Sequence, residues 1–202
     1  MGFNIRKVPL ITISGAFVIL LYCVFTMVSW AFYPNPYGPI THYLSRLGNF
    51  DYSPFGAYFY NWGCILTGLA LVPFFIGLRN WFTDSLIQRS IMILGQILGV
   101  ASGFALLSIG VFSEDQGASH MTASSTFFTI IFFVLILINI ALLLNPSFNK
   151  LIGVYGLGIT FSSLAFALTV GGPLTEWYTV FGSLLFVGLI AFDSMKVKNR
   201  QQ

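Results

Sequence analysis

Six apolar runs, at residues 8–32, 58–78, 90–112, 121–144, 151–170 and 177–192, contain no Asp, Glu, Lys or Arg. A helix rises about 1.5 Å per residue against a hydrocarbon core of about 30 Å, so about 20 apolar residues cross a bilayer. Strands are excluded, because lipid offers no partner for an open sheet edge and the runs lack the alternation of a barrel strand. A soluble fold is excluded as well: of 202 residues only 7% are charged, where soluble domains carry roughly 25%. The expected fold is therefore all-α: a polytopic membrane protein with six transmembrane helices in one bundle, a single domain over residues 1–202 with no linker and no repeat. The sixth run is short and needs its flanks, Glu176 and Asp193, to snorkel or the bilayer to thin.

With every charge outside the runs, the positive-inside rule applies directly. Placing the N-terminus inside collects Arg6, Lys7, Arg79, Arg89, Lys150, Lys196, Lys198 and Arg200 on one side and leaves only Arg46 on the other. Both termini are thus expected in the cytoplasm and the protein in the cytoplasmic (cell) membrane. The first run follows a basic pair but is about twice a signal-peptide h-region and has no cleavage site after it, so it reads as a mature helix. The basic residues form no run, which excludes nucleic acid as a partner. Cys23 and Cys64 lie in apolar runs and read as buried thiols.

Gly95, Gly99 and Gly103 recur every four residues in the third run and form a flat stripe for close helix packing. The stripe is expected to serve the bundle's interior, with a homo-oligomer face as the alternative. Gly153, Gly156 and Gly158 form a looser set in the fifth run.

The outer side receives both histidines, four of the six acids and the longest connection, residues 33–57. Within it Ile40, Tyr43, Leu44 and Leu47 follow the i, i+3, i+4, i+7 spacing of one apolar helix face, with His42, Ser45 and Arg46 opposite. The spacing predicts a short interfacial helix over 40–47, lying among headgroups or closing over a pocket as a lid. In the next outer connection Glu114 and Asp115 sit at a helix C-terminus, where the dipole disfavours acids, so they call for water, a cation or the positive end of the next helix. Ser119 reads as the N-cap of the helix that His120 enters, Glu176 as a dipole partner opening the last helix, and Asn61 as a bridging amide.

Two chemistries follow from these residues. His42, Asn61, Glu114 and His120 can tie the helix ends into a hydrogen-bonded knot. Alternatively His42 and His120, with Glu114 or Asp115, supply ligands for a divalent metal, although no HExxH-type spacing selects them. Ion-coupled transport is disfavoured because no charge lies in any run. The two deeper amides, Gln96 and Asn139, read as helix bridges.

Four segments carry a family resemblance: Thr41-His42-Tyr43-Leu44-Ser45-Arg46-Leu47-Gly48 with Asn61, Gly110-Val111-Phe112-Ser113-Glu114-Asp115, His120, and Leu174-Thr175-Glu176. On these the chain resembles an uncharacterised prokaryotic six-span membrane family, the domain of unknown function 998. It departs where Ser113 stands for proline and Trp177 for a basic residue, so no ion pair at Glu176 is implied. The resemblance implies a six-helix bundle with a polar cluster at its outer rim and implies no reaction. The expected function is an outer-facing site of His42, Ser45, Asn61, Glu114, His120 and Glu176 that binds a lipid headgroup or a partner subunit. The alternative is a metal-assisted membrane hydrolase acting on lipid, with Glu176 as base.

Overall fold

The structure, a computed structural model, describes residues 8–200. Arg6 and Lys7, and the side chains of Lys198 and Arg200, lie outside the described residues. Six helices account for the six runs: α1 Leu10–Ala31, α2 Gly56–Gly77, α3 Leu86–Val111, α4 Ala118–Leu144, α5 Lys150–Thr169 and α6 Gly172–Arg200. Each is long and apolar enough to cross a membrane, and there is no strand among the described residues.

Most helices outrun the charge-free cores read from the sequence. Arg89, Lys150, Glu176 and Asp193 are helical residues near the ends of α3, α5 and α6. The sixth span, short in sequence, belongs to a helix of 29 residues. Helix ends follow local capping: Ser85 accepts the Gln88 N–H at α3, and the Asn149 side chain accepts the Leu151 N–H at 3.1 Å at α5. Ser119 is not the cap of α4. Gly117, at φ +57°, turns the chain, and α4 starts at Ala118 with no side-chain cap. The left-handed turn that only glycine adopts cheaply moved the helix start forward.

The helices close into a ring. Helices α1 to α4 pack against one another in order along most of their length, while α5 and α6 touch their neighbours more sparsely and α6 returns to α1. Thr12 of α1 donates to the Ala191 carbonyl of α6 at 2.8 Å, so the start of α1 and the last turns of α6 share one end of the bundle. The glycine stripe lies inside it. Gly95 meets Ile138 of α4 and Gly99 meets the Phe75 ring of α2. At Gly103 the backbones cross so closely that a β-carbon would stand 2.8 Å from the Gly68 carbonyl oxygen of α2. Of the looser set, Gly153 packs on Leu143 of α4, Gly156 packs between Asn139 and Phe186, and Gly158 faces open space.

Outward faces carry large apolar residues such as Phe17, Leu20, Met27, Leu69 and Phe161, all substantially exposed, as a lipid-facing surface requires. Gln96 bridges helices, donating to the Phe75 and Ile76 carbonyls of the last turn of α2 at 2.8 and 3.2 Å. Asn139 does not bridge. Its amide donates to Leu135 of its own helix at 2.7 Å, and its buried Oδ1 has no partner. At the termini end, buried Gln88 donates to the Trp81 and Ala141 carbonyls at 2.9 and 3.1 Å, and Asn145 also donates to Trp81 at 2.8 Å. The Trp81 indole donates to Ser194, and Asp193 accepts the Asn149 N–H. Apart from Asp193, this lock gathers neutral residues that the sequence did not single out.

Candidate functional site

At the opposite end the 32–55 connection folds back over the helices as a cap. Its regular structure is a 3-10 helix at Leu44–Gly48, not a helix over 40–47. The N–H groups of Thr41 and His42 both turn to the Gly38 carbonyl, and Tyr43 is extended, which breaks the helical period. Ile40 is therefore 80% exposed while Leu44 and Leu47, three residues apart and eclipsed in a 3-10 turn, are wholly buried. The cap inserts two leucines between helix ends.

Non-helical backbone at this depth needs partners for its polar groups, and side chains from the surrounding elements supply them. The Trp177 indole donates to the His42 carbonyl at 2.9 Å, and the Tyr37 hydroxyl donates to the Tyr43 carbonyl at 2.6 Å. Glu176 Oε2 accepts the Leu44 N–H at 2.8 Å. Ser29 of α1 donates to the Leu47 carbonyl at 3.2 Å, and Asn61 of α2 donates to Gly48 at 2.9 Å. Glu114 accepts from Asn49 and faces Arg46 Nε at 3.4 Å, while Asp115 accepts the Phe50 N–H at 3.2 Å. Arg46 is thus the cation that offsets an acid at the end of α3. Burial, followed by the nearby Glu176 carboxylate, pushes the Tyr37 phenol up from its ordinary pKa, which keeps it a donor.

Asn61, Glu114 and Glu176 therefore converge on one segment, residues 44–49. The two histidines do different work. His42 stacks on Tyr37 at 5.0 Å, with Nδ1 2.8 Å from the Thr41 hydroxyl, in an aromatic group that includes Trp30, Tyr33 and Trp177. Such aromatic residues suit a membrane–water boundary. His120 is 4% exposed, and its Nδ1 lies 2.8 Å from the Phe112 carbonyl. A carbonyl only accepts, so Nδ1 carries a hydrogen, and in that tautomer Nε2 is an acceptor. Among the described residues no three of His, Cys, Asp and Glu gather as metal ligands, and His42, His120, Glu114 and Asp115 have the separate partners just given.

Sparse packing of α5 leaves a cavity of about 760 Å3 between α4, α5 and α6 beneath the cap. One end is lined by Ser45, Arg46, Glu114, His120, Thr175 and Glu176, and the walls by Phe128, Phe132, Leu135, Leu164 and Ala167. A narrower cavity of about 90 Å3 runs along the bundle axis and shares Ser45, Ser124, Glu176 and Thr179 with it. Four of the six expected site residues, Ser45, Glu114, His120 and Glu176, line the large cavity; Asn61 anchors the cap above it, and His42 lies to one side. Asn49, Tyr37, Ser29 and Trp177 were not read as site residues. The departure at Trp177 was the only sequence signal among them, and its indole does bond the cap.

No curated protein and no solved structure matches the chain. Residues 16–193, nearly the whole of the bundle just described, match a family described as protein of unknown function (DUF998), and the chain belongs to that family.

Proposed function

We propose that this multi-pass membrane protein binds one membrane lipid, its headgroup beneath the cap and its hydrocarbon along the phenylalanine wall of the large cavity. The observation that carries the reading is the cavity itself. Its volume of about 760 Å3 falls in the ~300–1,000 Å3 range of small-molecule sites, which are mostly apolar with a few convergent polar groups. Its ionisable groups are confined to the cap end, with only the hydroxyls of Thr129, Thr160 and Ser163 along the walls, the arrangement an amphiphile needs. The segregation of basic residues supports an outward-facing cap, so the lipid would come from the outer leaflet.

Native mass spectrometry of the protein released from mild detergent tests this. The expected spectrum carries one phospholipid per chain. Ser163 lines the cavity with an unpartnered hydroxyl, so Ser163→Trp fills the space and should reduce lipid occupancy at least tenfold while the protein still unfolds cooperatively. Undiminished occupancy in that variant would refute the cavity as the lipid site.

A further inference from the structure

The hydrogen-bonding capacity left over at the cap end selects among headgroups. Three ionisable side chains and one imidazole line that end: Arg46, Glu114, Glu176 and His120. Glu114 is committed to Arg46 and Asn49. Glu176 makes no ion pair with Lys, Arg or His among the described residues and accepts backbone N–H groups, from Leu44 with Ser45 beside it. A carboxylate offers about four lone-pair sites, so acceptor capacity remains. His120 keeps Nε2 as a second acceptor, because Nδ1 is held by the Phe112 carbonyl. Arg46 uses Nε on Glu114 and lays its guanidinium over the Tyr52 ring at 4.4 Å, and its fork of five N–H donors is not exhausted by that.

The cavity end thus presents two spare acceptors and a cationic donor, and Glu176 makes no ion pair there. An anionic headgroup would add to that imbalance. A quaternary ammonium would offset the charge but has no N–H to give. We propose, resting on the lipid reading above, that the cavity selects a phospholipid bearing a primary ammonium beside its phosphate. The ammonium donates to Glu176 and His120, and the phosphate accepts from Arg46. One charge-assisted hydrogen bond is worth about tenfold in affinity.

The test uses the full chain, delipidated in detergent and titrated with phosphatidylethanolamine, phosphatidylcholine and phosphatidylglycerol of identical acyl chains, with binding read by native mass spectrometry. The expected result is at least tenfold tighter binding of the ethanolamine lipid, with N-methyl and N,N-dimethyl analogues falling in between. Glu176→Gln should lower ethanolamine-lipid binding about tenfold. Should that variant not fold, the comparison of lipids on the native chain decides alone. Water-soluble phosphoethanolamine at millimolar concentration should leave the lipid bound; displacement by it at the lipid's own concentration would overturn the lipid as the source of the headgroup. Affinities within twofold for the three lipids would overturn the selectivity and leave the lipid reading standing. Binding of none of the three would overturn the lipid reading itself.

Discussion

Glu176→Ala tests whether the cap is held from α6. The substitution removes the acceptor that meets the Leu44 N–H at 2.8 Å. The Leu44 side chain is wholly buried, so that N–H does not turn to bulk water when its partner goes. An orphaned buried donor costs about 1–3 kcal/mol. At about 2 kcal/mol, with tenfold for each ~1.4 kcal/mol, the cap should open about 30-fold more often. Hydrogen exchange read by mass spectrometry over residues 42–50 measures this opening directly, under conditions where exchange follows the opening equilibrium. The Leu44 amide should exchange about 30-fold faster, with peptides from the middle of α2 and α3 unchanged within twofold. Glu176→Gln keeps one acceptor oxygen and should accelerate exchange only a few-fold. Protection within twofold of the native chain in Glu176→Ala would show that the carboxylate does not hold the cap.

At the other end, Gln88→Leu deletes donors to the Trp81 and Ala141 carbonyls and the acceptor for the Thr83 N–H. It should lower stability by about 2–4 kcal/mol, seen as a drop of several degrees in the thermal unfolding midpoint in detergent. Gly103→Leu should separate α2 from α3 at the Gly68 crossing and cost at least the ~1–3 kcal/mol usual for overpacking. Gly158→Ala, whose β-carbon meets nothing within 4 Å, should leave the unfolding midpoint unchanged or slightly raised. For the membrane orientation, Ser119→Cys and Asp84→Cys place single exposed thiols at the two ends in a background without Cys23 and Cys64. An impermeant maleimide applied to intact cells should label the first and not the second, and the reverse pattern would invert the topology.

The cap shows where reading along the chain fails. Ile40, Tyr43, Leu44 and Leu47 fit an amphipathic helix, yet two turns onto the Gly38 carbonyl and an extended Tyr43 leave only five residues of 3-10 helix. Eight residues of period cannot outweigh contacts made by Trp177, Ser29 and Asn61, which are distant in sequence. The acids were easier to find, because in a chain with so few charges a carboxylate beside a span stands out. A cation is one of three partners that the position of Glu114 allows, and its pairing with Arg46 depends on the cap's path. The lock at Trp81, Gln88 and Asn145 is built from neutral side chains whose composition carries no such signal. Asn139 and Gln96 looked alike in sequence; only Gln96 reaches the last-turn carbonyls of a neighbour, while Asn139 packs against Gly156.

The sequence by itself determined the six spans, the all-helical class and the confinement of charge to the helix ends. Each of these is a local balance: some 20 residues either tolerate hydrocarbon or do not, and an isolated backbone in lipid must bond to itself. Only the tertiary structure decided which side chains fasten the cap, that the histidines stand apart in role, and that α5 stands far enough from α4 and α6 to leave a cavity. Those outcomes depend on where side chains from separate helices meet and how completely their volumes fill the space between them, and no segment carries that information alone.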